Sequence, residues 1–379
     1  MKKILCFFVL ISLLTVQVSA VELDIGGKSA LLMDVATGTV LYENNAHEAL
    51  APASVTKVMT MLLIMEAVDS GKIRMEDTVT ASEAAAAKGG SQIFLKVGET
   101  MTVSDMLKSI AVSSANDCAC AMAEHIAGSE SAFVEMMNSR AKELGMENTH
   151  FVNCTGLDDD PEAASHLTSA GDIAIMSREL MKNHPDIKKF TTIWMDTVRN
   201  GAFGLSNTNK LIRFYPGATG LKTGFTSGAG YCLSATAERE GLELIAVVMG
   251  CSTSQERTAA CKAMLDYGFA NYALVSPDLT EQDTAVPVKL GKEISVSAVL
   301  GGDTEMLIDK GKRSAVTTEV TLMDTVTAPV EKGQNLGTMT VKAGDQVLAE
   351  VPLVAAEDVP RLTWGELFVK VLRRVAMAK

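Results

Sequence analysis

Ser54-Val55-Thr56-Lys57 sets a hydroxyl and an amine three residues apart, directly after Pro52-Ala53. On a helix, positions i and i+3 are neighbours on one face, so the Lys57 amine would lie beside the Ser54 hydroxyl. A serine hydroxyl is a poor nucleophile until a base takes its proton. Lys57 can be that base only when neutral, which requires burial or a second cation to lower its pKa. The apolar run from Val58 to Met65 supplies the burial, and a helix N-terminus favours negative charge developing near Ser54. Taken alone, the four residues describe a Ser N-cap with a nearby Lys more readily than a catalytic pair.

Two further motifs sit downstream. Ser114-Ala115-Asn116 lies between helical stretches at about 104–112 and 117–127. Ser114 could relay protons between amines, and Asn116 offers a donor and an acceptor to a peptide backbone. Both types are also common helix caps. Lys222-Thr223-Gly224, followed by Phe225-Thr226, leads into a strand. Residues 222 and 224 share one strand face, so Lys222 can put positive charge in a cleft while Gly224 lets a substrate backbone lie close. That charge would help keep Lys57 neutral and attract a carboxylate. The bland alternative is an edge-strand Lys that blocks aggregation.

The elements that must position these residues read as an α+β chain. A hairpin is expected over 28–43, with its turn at Ala36-Thr37-Gly38. Ser54 to Ser70 reads as a helix closed by Gly71, apolar almost all round and therefore buried. Residues 104–195 carry helical patterning; strands are expected at 230–238 and 243–250 around Glu240-Gly241, and a helix from Arg257 to Phe269. Strands, then helices, then strands place a first domain at 21–275. Over 276–358, short Val- and Thr-rich runs alternate with Gly-containing turns, as in a small all-β domain. In 359–379, Trp364, Leu367, Phe368, Val371, Leu372 and Val375 fall on one helical arc, opposite Glu366, Lys370, Arg373 and Arg374. Such a basic amphipathic helix suits an anionic membrane surface; the alternative is a helix docked on the protein's own body.

Composition bounds the rest. The 379 residues are 47% hydrophobic and 21% charged, which is globular. The net charge of -12 argues against nucleic acid as a partner, because a phosphate-binding surface needs excess Lys and Arg. Residues 1–20 read as a secretory signal peptide: Lys2 and Lys3, an apolar run from Ile4 to Val16, then Val18-Ser19-Ala20. Cleavage would remove two Lys and no acid, giving -14. An uncleaved anchor is the alternative. Cys118, Cys120, Cys154, Cys232, Cys251 and Cys261 would remain; their spacing forms no disulfide framework, so buried free thiols are the simpler expectation. The five His are scattered and show no metal-ligand spacing.

In this order, S-x-x-K, S-x-N and K-T-G are far more specific than any one of them, and the set belongs to penicillin-binding proteins and serine β-lactamases. The chain resembles the low-molecular-mass D-alanyl-D-alanine carboxypeptidases of the S11 peptidase type over nearly its whole length after residue 20. Ala51 to Lys57 resembles their nucleophile segment, and Gly220 to Thr226 their third motif. Phe151 to Leu157 and Thr168 to Asp172 resemble intervening signatures, and Ala328 to Gln334 a C-terminal β segment. The resemblance implies a serine β-lactamase/DD-peptidase-like catalytic domain, with an antiparallel sheet flanked by helices, plus the all-β domain and a membrane-anchoring tail.

The resemblance also implies roles. Ser54 would be the nucleophile, Lys57 the base and Ser114 the relay. Asn116, Lys222, Thr223, Gly224, Phe225, Thr226 and Arg257 would bind substrate, Thr226 and Arg257 at its terminal carboxylate. The oxyanion hole would be the backbone amides of Ser54 and Phe225. The expected reaction is release of the terminal D-alanine from peptidoglycan stem pentapeptides, without metal or organic cofactor, at the outer face of the cytoplasmic membrane. β-Lactams would acylate the same serine. Phe225 departs from the His often found there, and Asp158-Asp159-Asp160 is unlike the usual pattern. A class A β-lactamase would need a Glu-containing loop; the only Glu-x-x-x-Asn spacing between the second and third motifs, Glu179 to Asn183, reads as a helix end, and Glu162 lacks the Asn. Two more readings compete with the carboxypeptidase: a transpeptidase or endopeptidase on the same scaffold, and a non-enzymatic wall-binding protein.

Overall fold

The computed structural model describes residues 23, 25–159, 161–280, 282–302 and 304–376. The expected signal peptide, 1–20, lies outside them. The chain opens with the hairpin β1 (Ser29–Asp34) and β2 (Val40–Asn44), then a 3-10 turn at Ala53–Thr56 that runs straight into α1 (Lys57–Asp69). There follow β3 (Thr78–Thr80), α2 (Glu83–Ala86), β4 (Thr100–Thr102), α3 (Val103–Ser113), α4 (Asn116–Ala127), α5 (Glu130–Glu143), α6 (Ala170–Asn183) and α7 (Lys188–Thr191). Next come β5 (Met195–Val198), β6 (Phe203–Ser206), α8 (Leu211–Phe214), β7 (Ala218–Thr226), β8 (Gly230–Arg239), β9 (Leu242–Cys251), α9 (Ser254–Asn271) and β10 (Tyr272–Val275). The remainder holds β11 (Ala285–Lys289), β12 (Ser295–Leu300), β13 (Met306–Asp309), β14 (Val316–Leu322), β15 (Val326–Thr327), β16 (Asn335–Ala343), β17 (Gln346–Ala355) and α10 (Trp364–Ala376).

The first part is a three-layer sandwich. An antiparallel sheet in the order β2-β1-β9-β8-β7 forms the middle. β9 reads Leu-Glu-Leu-Ile-Ala-Val-Val-Met and is nearly all buried, as a strand covered on both faces must be. One face packs on α9 through Ala260, Cys261, Met264 and Leu265. The other packs on the helices around α1, in which every residue from Lys57 to Met65 is buried. The uniform apolarity of α1 has this cause: it has no solvent side. Sequence patterning missed the short hairpins β3–β4 and β5–β6, whose three or four residues are too few to show a period.

A separate core, drawn only from Val286 to Val359, lies inside the sheet β14-β16-β17-β12-β11-β15. All its pairings are antiparallel except β11 with β15. The link to the first part includes a two-stranded ladder, β10 with β13. α10 is not docked on the body: Trp364 is 88% exposed and Phe368 65%. Among the described residues, no helix is long and apolar enough to cross a membrane. All six Cys after residue 20 are buried free thiols.

Candidate active site

Ser54 stands on the 3-10 turn, and Lys57 is the first residue of α1. Residues i and i+3 eclipse in a 3-10 turn, which brings the Lys57 amine to 2.9 Å from Ser54 Oγ. Lys57 Nζ also donates to the Thr155 carbonyl at 2.8 Å. The side chain is fully buried. Burial pushes the amine down to about 7, against weaker upward pulls from Cys154 and Asp117. A buried amine near 7 can exist neutral at physiological pH and accept a proton from the hydroxyl beside it.

The second motif lies where α3 gives way to α4. Ser114 caps α3 in the left-handed conformation (φ 62°), and Asn116 opens α4. Asn116 Nδ2 donates to the Gly89 carbonyl at 2.8 Å, which fixes the amide. Four buried side-chain polar atoms lack a partner among the described residues, and three belong to this set: Ser114 Oγ, Asn116 Oδ1 and Arg257 Nε. Native proteins rarely leave such atoms unsatisfied away from functional sites.

The third motif occupies β7. Lys222 is buried, with Nζ donating to the Thr223 carbonyl at 2.9 Å. Its pKa is held well below the usual lysine range, first by burial and then by Lys57 and Arg257. The two amines are therefore electrostatic neighbours, and charge on Lys57 disfavours charge on Lys222. Thr223 donates to Thr208 Oγ1 at 2.7 Å, tying β7 to the loop before α8. Thr226 Oγ1 accepts from the Ala229 amide, shaping the β7–β8 turn. Phe225 is 53% exposed and stacks on Tyr231 with ring centroids 4.2 Å apart.

Gly224 lies against the turn that carries Ser54. A Cβ there would come within 2.7 Å of the Pro52 carbonyl and 3.1 Å of the Ser54 and Val55 amides. Its missing side chain lets the turn that carries Ser54 seat against β7. Arg257 lies beneath the same pair of strands: its Nη1 donates to the carbonyls of Gly224 (2.9 Å) and Cys232 (3.3 Å).

Sequence reasoning gave no role to the segment 152–157. Asn153 Oδ1 accepts from the amides of Thr155 and Gly156, while its Nδ2 donates to the Leu157 carbonyl. This presents the Thr155 carbonyl to Lys57. Gly156, at φ 81°, lies so close that a Cβ would overlap the Ala53 carbonyl. Behind the turn, Thr56 Oγ1 is 2.8 Å from His166 Nε2. The sequence marked Phe151 to Leu157 as a signature stretch but not what it touches; contacts across about a hundred residues leave no local pattern.

Glu179 and Asn183 are at the end of α6, hydrogen-bonded to each other, and Glu179 is paired with Arg140 at 2.7 Å. They form a helix end, as expected, and not a catalytic loop. Glu66, Glu179 and His184 approach one another closely enough to suggest a metal group. However, Arg140 bridges both carboxylates at 2.7 Å and His184 Nδ1 is hydrogen-bonded to Asp69, so these groups already have partners within the protein.

Comparison with known proteins gives a consistent picture. The family model described as D-alanyl-D-alanine carboxypeptidase matches residues 15–253, and that of the penicillin-binding protein 5 C-terminal domain matches 276–361. The D-alanyl-D-alanine carboxypeptidase DacF of Bacillus subtilis is 48% identical over 345 residues, 90% of this chain and 87% of that protein. The crystal structure of penicillin binding protein 5 from Haemophilus influenzae superposes with a TM-score of 0.73 at 32% identity, covering 90% of this chain and all of that one. Penicillin-binding protein D2 from Listeria monocytogenes, in its ampicillin-bound form, superposes with a TM-score of 0.57 at 32% identity, over 65% of this chain and 99% of that one.

Proposed function

The chain belongs to the D-alanyl-D-alanine carboxypeptidase family of S11 peptidases, and on that premise we propose that its chemistry runs through Ser54 and Lys57. It is a serine-type D-Ala-D-Ala carboxypeptidase acting on peptidoglycan peptides. The observation that carries the assignment of residues is the 2.9 Å contact between Ser54 Oγ and a buried amine pushed down to about 7.

Neutral Lys57 takes the Ser54 proton as Oγ attacks the carbonyl carbon of the penultimate D-alanine. The backbone amides of Ser54 and Phe225, on the two segments that meet at Gly224, hold the resulting oxyanion; each such donor contributes about 2.7–4 kcal/mol. The C–N bond breaks, and the departing D-alanine amine takes the proton from Lys57, with Ser114 as relay. Water then attacks the acyl ester, Lys57 accepts its proton, and Ser54 is released with its hydrogen restored. Asn116 and the β7 backbone of Thr223 and Phe225 hold the peptide. Lys222, Thr226 and Arg257 favour its terminal carboxylate. β-Lactams acylate the same Ser54.

The exported location is part of the proposal: residues 1–20 are removed as a signal peptide, 21–275 form the catalytic domain and 276–358 the β domain. Residues 359–379 hold the enzyme on the outer face of the cytoplasmic membrane, which the exposed apolar side of α10 supports. The test is D-alanine release from a peptide ending in D-Ala-D-Ala, with fluorescent-penicillin labelling of wild type and Ser54→Ala. No release, or labelling undiminished in Ser54→Ala, rejects the assignment. Rapid nitrocefin turnover would point to a β-lactamase, and transfer to an acceptor amine to a transpeptidase.

A further inference from the structure

We propose that the tip of the β11–β12 hairpin, residues 290–294, enters the membrane interface together with α10, so that the enzyme docks through two elements. The inference rests on the membrane reading of α10 given above. The tip and the base of the helix are built as one unit. The Leu362 amide donates to the Leu290 carbonyl at 2.8 Å, and the Lys292 amide to the Pro360 carbonyl at 2.9 Å. Gly291 bridges Arg361. Lys292 Nζ reaches Glu366 at 3.3 Å.

That unit fixes where α10 begins. Thr363 and Glu366 form a reciprocal cap, in which Glu366 accepts from the Thr363 amide and hydroxyl while its own amide donates back to Thr363 Oγ1. The helix therefore leaves the β domain in a defined place beside the tip. At this end the apolar side chains face water: Ile294 is 76% exposed, Leu290 38% and Trp364 88%. Exposed apolar groups clustered at one end of a molecule mark an interaction surface.

Charge complementarity names the occupant. Lys289, Lys292 and Arg361 are exposed on the segments that carry these side chains, and Lys370 and Arg373 are exposed further along α10, against Glu293 and Glu366, and Glu366 is already engaged. In a chain of net charge -12 this is a local cationic rim. A rim of Lys and Arg around an aromatic and a bulky aliphatic group fits anionic lipid headgroups over acyl chains. A single amphipathic helix leaves the body free to swing, whereas two rigidly joined contacts fix the height and tilt of the enzyme above the bilayer.

The experiment uses the chain from residue 21 to 379 and vesicles of mixed phosphatidylglycerol and phosphatidylcholine. Ile294→Cys is labelled with an environment-sensitive fluorophore; the six native thiols are buried, so the label is selective. The expected result is a blue shift on adding vesicles and quenching by brominated lipid. Ile294→Asp should lower the partition coefficient roughly tenfold or more while D-alanine release from a soluble peptide is unchanged. A label that stays in water on bound protein, or Ile294→Asp partitioning like wild type while Phe368→Asp does not, overturns the two-element docking and leaves the helix reading standing. Failure of the unmodified chain to bind any vesicle overturns the helix reading itself.

Discussion

Thr56 and His166 are joined by a 2.8 Å hydrogen bond that ties the nucleophile turn to a loop 110 residues away. The Val152 amide donates to His166 Nδ1, so the neutral ring carries its proton on Nε2 and gives it to Thr56 Oγ1. The Thr56 hydroxyl passes the chain on to the Ala53 carbonyl at 2.8 Å. Ala53 itself sits at φ 48°, a conformation few non-glycine residues hold without support. His166 is pushed down to about 4, chiefly by burial, then by His150 and Lys57. An unfolded His titrates near 6.5, so the unfolded chain binds the extra proton first. This contribution to stability is full above about pH 6.5 and is lost as pH falls to about 4, on the order of 3 kcal/mol in all. Urea titrations of wild type and His166→Gln across that range check it. A wild type that loses no more stability than the variant removes His166 from this role.

Acylation should follow the proton on Lys57. Its amine is pushed down to about 7 by burial, so the rate of fluorescent-penicillin labelling should rise through about pH 7. The groups that act on this amine besides burial are Cys154 and Asp117, which pull the limb upward. Lys222 is itself held well below the usual lysine range and is not among the groups that set Lys57, so Lys222→Gln should leave the limb near pH 7; a limb that moves to higher pH means Lys222 carries charge while Lys57 titrates. Lys57→Met should slow acylation about 10²–10⁴-fold, yet raise the melting temperature. An amine at about 7 folded and about 10.5 unfolded opposes folding most below pH 7, and the opposition fades as pH rises through 10.5.

The contact between Ser54 and Lys57 and the place of Lys222 on a strand were legible because each lies within one local motif, and the uniform apolarity of α1 announced its burial. The parts that orient them were not. Thr155, Gly156 and His166 act on residues 53–57 across about a hundred positions, and no hydrophobic period encodes a carbonyl aimed at an amine. Gly224 was legible as a glycine that permits close approach, but sequence cannot say what approaches. Packing puts the enzyme's own Pro52 and Ser54 there.

Two glycines should therefore be intolerant for one shared reason. Gly156→Ala asks for φ 81° from a residue with a Cβ and forces that Cβ into the Ala53 carbonyl. Gly224→Ala pushes on the Pro52 carbonyl at 2.7 Å. Both should displace the nucleophile turn, cutting penicillin labelling more than tenfold while far-ultraviolet circular dichroism keeps its native form. Gly145→Ala, also at positive φ but with nothing within 4 Å of the added Cβ, is the control for backbone strain alone. Equal losses in Gly156→Ala and Gly145→Ala would mean that strain, and not the contact with Ala53, sets the effect at Gly156.

Arg257 should decide between free and blocked peptide ends. Its guanidinium is buried, and among the described residues no carboxylate pairs with it; its bonds go to the carbonyls of Gly224 and Cys232 and weakly to Ser254 Oγ, and Nε has no partner. The Tyr231 ring lies 5.4 Å from it. A buried cation held only by neutral groups is costly, and burial lowers its pKa. Under the proposed roles, that cost would be offset by a substrate carboxylate near Thr226 at the end of β7. Arg257→Gln should thus lower kcat/KM for a peptide ending in free D-Ala-D-Ala roughly a hundredfold, and change little for the same peptide amidated at its C-terminus. The variant should melt no lower than wild type, since it removes an unpaired buried charge. Equal losses on both peptides, with a lowered melting temperature, would instead make Arg257 a brace for β7 and β8, and the selectivity for a free terminus would have to reside in Lys222 and Thr226.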